Sequence, residues 1–192
     1  MPGPGGIYTD VLTSASVAGA PVTTNAADTT LLPAANQYVF NPGSFGKIGQ
    51  MYRVKASGQI SNIVTTPGTL TFKVWLGPTK NINVFAGAAM QLNAVAKTNV
   101  TWDMEIVMVL RAIGSGTSAN FLSIGRWTSE SVVGSAVPGT GGSGSLLSPA
   151  SAPAVGTGFD STVANIFDLT ANFSLTGNSI TLMTFSFEDL NS

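Results

Sequence analysis

From Gln37 onward, apolar and polar residues alternate with a period of two, the mark of strands with one face buried. Leu70, Phe72, Val74 and Leu76 alternate with Thr69, Thr71, Lys73 and Trp75, between a Thr66-Pro67-Gly68-Thr69 turn and a Gly77-Pro78 stop. Upstream, Tyr52, Val54 and Ala56 alternate with Met51, Arg53 and Lys55. Val100, Trp102, Met104, Ile106, Met108 and Leu110 form the longest one-face row. Phe167, Leu169, Ala171, Phe173 and Leu175 alternate with Asp168, Thr170, Asn172, Ser174 and Thr176. Gly177-Asn178 then predicts a tight turn, and the run from Ile180 to Phe187 its returning strand. The β-branched and aromatic content of these runs suits strands. The best helix candidate lies between Ala86 and Lys97, where Ala88, Ala89, Met90, Leu92 and Ala94 are good helix formers; a strand pair or a loop fits it equally.

Two runs break the in-and-out rule. Ile106-Val107-Met108-Val109-Leu110 is apolar on both faces. Strict alternation from Ile180 to Phe187 sends Ile180 and Leu182 one way and Met183, Phe185 and Phe187 the other. A strand apolar on both faces needs cover on both. Another subunit of a symmetric assembly supplies it, or a loop of the same chain does. Residues 137–158 are rich in Gly, Ser, Pro and Ala and read as a long exposed loop. The first 36 residues sustain no period and carry only scattered large apolar residues: Ile7, Tyr8, Val11, Leu12, Leu31 and Leu32. They read either as a loose terminus or as an extended arm that orders on a neighbour. The expectation is an all-β chain, a jelly-roll-like sandwich or barrel over residues 37–192, with residues 1–36 as an extended N-terminal arm.

Composition sharpens this. The 192 residues suffice for one domain that buries roughly 70% of its unfolded surface. Apolar residues make up an ordinary 44%, but charged residues only 9%, with net charge −1. An ordinary soluble domain carries about 25% charged residues, so low charge suits a surface largely covered by neighbours. The eight basic residues are scattered, so the basic patch of a nucleic-acid binder is missing. No apolar run approaches the ~18 residues of a membrane-spanning helix. Met1-Pro2-Gly3-Pro4-Gly5-Gly6 has neither basic nor apolar signal-peptide regions, and synthesis in the cytoplasm is expected.

The chain has no histidine and no cysteine, which removes Ser–His triads, Cys–His pairs and N/S zinc sites. Asp103 and Glu105, at i and i+2, would share one strand face. Such a pair suits a glycosidase or an oxygen-ligand metal site, or simply faces Arg53, Lys55 or Arg111 across the sheet. Neither the Gly-rich segment at Gly139–Gly144 nor Gly46-Lys47 has the spacing of a phosphate loop. Trp75 and Trp127 could form a carbohydrate platform, but packing in the core or at an interface is the favoured reading of both. No cofactor is expected.

Four segments carry a family resemblance: Val54-Lys55-Ala56-Ser57-Gly58-Gln59-Ile60, Thr65-Thr66-Pro67-Gly68-Thr69-Leu70, Ala112-Ile113-Gly114-Ser115-Gly116-Thr117-Ser118 and Val155-Gly156-Thr157-Gly158-Phe159-Asp160-Ser161. They resemble structural proteins of tailed bacteriophages, from about Phe40 to the end, and most of all a capsid decoration (cement) protein. The resemblance implies a jelly-roll virion component, commonly trimeric, made in the host cytoplasm and bound to the major capsid protein on the capsid surface. A major capsid protein of the usual tailed-phage fold would be longer and carry a long helix. The expected partners are therefore the chain itself, as a homotrimer, and the major capsid protein, with no nucleic acid and no membrane. Candidate interface residues are Phe185, Phe187, Val107 and Val109. Candidate shell-binding residues are Ile7, Tyr8, Val11, Leu12, Leu31 and Leu32 in the arm. A receptor-binding or fibre module for a host glycan, using Trp75, Trp127 and the 137–158 loop, is the alternative, and a glycosidase using Asp103 and Glu105 comes third.

Overall fold

Every described run with period-two alternation is a strand in the structure, a computed structural model that describes residues 9–23, 27–87, 89–135, 145–149 and 152–190. The strands are β1 (Asp10–Ala15), β2 (Thr29–Thr30), β3 (Val39–Phe40), β4 (Met51–Asn62), β5 (Thr69–Leu76), β6 (Ile82–Ala86) and β7 (Met90–Leu92), then β8 (Lys97–Ala112), β9 (Asn120–Ser129), β10 (Val132–Ser135), β11 (Ser145–Ser148), β12 (Asn165–Ile166), β13 (Asp168–Phe173) and β14 (Ser179–Asp189). The described residues contain no α-helix, only one turn of 3-10 helix at Ala34–Asn36. The segment around Ala86–Lys97 holds the short strand β7, not a helix.

The strands form an antiparallel sandwich. One sheet has the order β1-β14-β4-β8-β9-β11, here called the front sheet. The back sheet runs β10-β7-β5-β13-β2, with β6 also paired to β5. Their inner faces meet through aromatic contacts. Phe72 of β5 lies 4.4 Å from Trp127 of β9, which stacks on Trp102 of β8 at 4.9 Å. The alternating rows supply this core: Leu70, Phe72, Val74 and Leu76 from the back sheet, and Tyr52, Val54, Trp102, Met104, Ile106, Met108 and Leu110 from the front.

Strand β14 departs from simple alternation, and its departure corrects an expectation. Its pairing with β4 slips between Leu182 and Thr184. This bulge places one extra residue on β14, so the face that points inward changes phase. Ile180 and Leu182 point into the core before it and Phe185 and Phe187 after it, while Met183 at the bulge is exposed. Phe185 and Phe187 are 4% and 1% exposed. They are core residues of their own domain and are not presented to a partner. Phe167 lies 4.2 Å from Phe187, and Phe40, Tyr52 and Tyr38 also pack on Phe187; residues 137–144 and 150–151 of the loop that was the alternative cover lie outside the described residues. Gly58 opposite makes the bulge sterically feasible. A Cβ there would fall 1.9 Å from the Thr181 carbonyl oxygen, so only glycine fits.

The N-terminal segment is the second correction. Strand β1 hydrogen-bonds along β14 from Asp10–Asp189 to Ala15–Phe185 and forms the front sheet's edge. The chain continues beside β14 through Gly19–Leu182 and Val22–Ile180 hydrogen bonds, then crosses to the back sheet, where β2 pairs with β13. Leu31 and Leu32 are buried in the core and Leu12 packs against it. The described part of residues 1–36 is thus integral to the sandwich, and the boundary expected at Asn36 does not separate an arm from a domain. Of the six proposed shell contacts, Val11 is exposed on the edge strand, and Ile7 and Tyr8 lie outside the described residues.

Candidate functional site

The front sheet's outer face carries the chain's clearest unshielded apolar surface. Register arranges it in rows across the strands. Met51 of β4 pairs with Val109 of β8, and Val109 with Leu122 of β9. The next row runs Glu188 of β14, Arg53, Val107 and Ile124. The third runs Ser186, Lys55, Glu105, Arg126 and then Leu147 of β11. Val107 and Val109, two of the sequence-derived interface candidates, are half-buried here, beside Ile124 at 46% exposure and Leu147 at 59%. A shallow groove of about 220 Å3 runs between Glu105, Val107, Ile124, Arg126 and Leu147. Branched aliphatic residues suit strands on either face; side by side and partly exposed, these form a contiguous apolar strip.

Charges frame this patch. Arg53 donates through Nε to Glu188 Oε2 at 2.9 Å, and Ser186 Oγ donates to Glu188 Oε1 at 2.9 Å. Burial alone would raise the Glu188 carboxyl, but Arg53, Ser186 and Lys55 outweigh it and hold the group below its ordinary value. Glu105 sits in register between Lys55 and Arg126, and Asp103 between Ser57 and Thr128. The two carboxylates therefore stand on an open sheet face with cations flanking Glu105. Of the cations anticipated across the sheet, Lys55 stands beside Glu105, joined by Arg126, whereas Asp103 faces only hydroxyls. Among the described residues no group of three or more potential metal ligands comes together. No helix among the described residues is long and apolar enough to cross a membrane.

The tryptophans separate. Trp127 is 2% exposed, stacked on Trp102 and Phe72, and belongs to the core. It therefore cannot form a platform with Trp75. The Gly139–Gly144 loop that would have joined them lies outside the described residues. Trp75 is half-buried on the back sheet's outer face, beside a groove of about 540 Å3. Asp28, Thr29, Thr30, Thr79, Lys80, Asp168 and Thr170 complete its lining. Sequence reasoning missed this cluster, because its members come from three separated segments, residues 28–30, 75–80 and 168–170, that only the sheet brings together. Lys73 pairs with Asp28 at 2.8 Å and Lys80 with Asp168 at 3.5 Å. Burial pushes the Asp168 carboxyl above its ordinary value, against the hydrogen bond from Thr30 and the Lys80 charge.

No known protein-family model matches this chain, and no curated protein sequence does. Among solved structures, the chain is similar to a protein of unknown function from Shewanella oneidensis MR-1, with 14% identity, 96% of this chain and 86% of that chain covered, and a TM-score of 0.36. It is also similar to the CBM2 module of the evolved Dit of Lactobacillus casei BL23 phage J-1, with 12% identity, 96% and 97% coverage, and a TM-score of 0.31.

Proposed function

We propose that this chain is a non-enzymatic structural protein of a bacteriophage particle. It acts as a homotrimer that decorates and stabilises the capsid by binding the major capsid protein. The observation that carries the assembly part of this reading is the front sheet's outer face, where Val107, Val109, Ile124 and Leu147 present apolar surface that the other described residues leave partly uncovered. Its occupant is a second copy of the same chain. The row Lys55-Glu105-Arg126 places one carboxylate between two cations, so copies turned about a threefold axis can each set Glu105 against a cation of the next chain. Head-to-tail contacts of this kind close into a ring. The 9% charge content supports a largely covered surface, and the resemblance to tailed-phage structural proteins supports the particle. Electron microscopy of particles carrying the protein tests the location. Many copies spread over the shell are expected; a few copies confined to a tail tip would overturn the decoration role.

A further inference from the structure

The groove beside Trp75 has a built character that capsid decoration leaves unexplained. Its floor is set by register: Trp75 of β5 lies opposite Asp168 of β13, Lys73 opposite Thr170, and Thr170 opposite Thr30 of β2. The turn after β5 forms one wall. Lys80 N–H donates to the Gly77 carbonyl at 3.2 Å, and Lys80 holds a positive φ of 55°. That turn brings the Lys80 ammonium over the sheet toward Asp168 and toward Gln37 Oε1, which accepts from it at 3.4 Å. Asp28 forms part of the opposite wall, tied to Lys73 and accepting from Asn172 Nδ2 at 3.4 Å.

Trp75 itself is fixed. Its indole N–H donates to Thr170 Oγ1 at 2.9 Å, and Lys73 Nζ stands 5.8 Å from the ring centroid. With its one donor used, the ring offers a ligand only carbon surface. Around it stand hydroxyls (Thr29, Thr30, Thr79) and the outward sides of two ion pairs. Each aspartate of the lining is tied to a lysine, Asp168 to Lys80 within the lining and Asp28 to Lys73 just beside it, so the groove carries little net charge to attract an anion or a cation. Aromatic carbon surface within a rim of paired donors and acceptors matches a pyranose ring, with C–H bonds on one face and hydroxyls at its edge. The volume of about 540 Å3 falls within the roughly 300–1,000 Å3 usual for small-ligand sites.

We propose that this groove binds a neutral saccharide, a hexose unit of a surface polysaccharide, with the pyranose ring on Trp75 and its hydroxyls to Thr79, Lys80 and Asp28, while the buried Asp168 holds Lys80 in place. The site lies on the back sheet, on the opposite side of the sandwich from the proposed subunit contact, and its test is independent of oligomeric state. Saturation-transfer NMR on the full chain, with glucose, galactose, rhamnose and N-acetylglucosamine and their oligomers as probes, should show ring-proton signals for at least one. Trp75→Ala should weaken that binding by about tenfold or more. Thr79→Arg, a change at an exposed turn residue that crowds the groove without entering the core, should weaken it similarly and leave the thermal midpoint unchanged. Three results would overturn the proposal: no transfer to any of these sugars, binding that survives both substitutions, or binding restricted to acidic sugars.

Discussion

Gly58 and Phe187 show how single residues decide what β14 buries. A methyl group at position 58 would collide with backbone, which cannot rotate away. Gly58→Ala is therefore expected to lower stability by about 2–3 kcal/mol, read as a lower denaturant midpoint. Phe187→Ala empties a site walled by Phe40, Tyr52 and Phe167 and should cost about 3–5 kcal/mol. Its oligomeric state should not change, because that side chain never reaches the surface. Glu188 sets an acid-side dependence. Its carboxyl lies below the ordinary value in the folded chain, so its contribution is present above the unfolded value and lost as pH falls through the folded one. Glu188→Gln should flatten the acid limb of the stability–pH curve in thermal melts at stepped pH. Asp168 has the opposite sign. Its raised value means that stability falls as pH rises from the ordinary carboxylate value through the folded one, and Asp168→Asn should remove that part of the dependence.

Elements differ in how much of themselves the sequence displays. β5 and the core-facing row of β8 were legible outright, because a strand paired without interruption keeps its phase and the apolar row stays on one face. β14 was legible as a strand but not in its facing. The phase change at Met183 depends on Gly58, a residue on another strand, and no local pattern announces it. β9 was missed as a core row because Phe121-Leu122-Ser123-Ile124-Gly125-Arg126-Trp127 places Ser123 and Gly125 inward and Leu122 and Ile124 outward. Space at Gly125 is tight, since a Cβ would stand 3.0 Å from Ile106 Cγ1 and 3.3 Å from the Glu105 carbonyl oxygen. The pairing of β1 with β14 was hidden for a similar reason: an edge strand has one neighbour and little burial, so it needs no strong apolar row. Removing residues 1–16 should bare the β14 edge, which presents unpaired backbone groups to other chains. The truncated protein should melt at lower temperature and aggregate on heating, measured by scattering during the melt. A truncation that melts like the full chain and stays clear would show that β1 contributes little.

At the scale of the whole molecule, the two outward faces differ in character. The front sheet carries branched aliphatic residues beside a row of alternating charges, and the back sheet carries a groove lined by one tryptophan and two ion-paired aspartates. The low overall charge was readable from composition, but which face it leaves for a partner was not; that required the register to bring Val107 beside Ile124 and Leu147 beside Arg126. In the proposed assembly the front sheet's outer face joins copies of this chain. Multi-angle light scattering of the purified protein at micromolar concentration, with Val107→Asp measured alongside, tests that contact. A mass of three times the 19.6 kDa chain is expected for the native protein and a single-chain mass for a folded Val107→Asp variant. A native protein at 19.6 kDa, or a variant that remains trimeric, would contradict it.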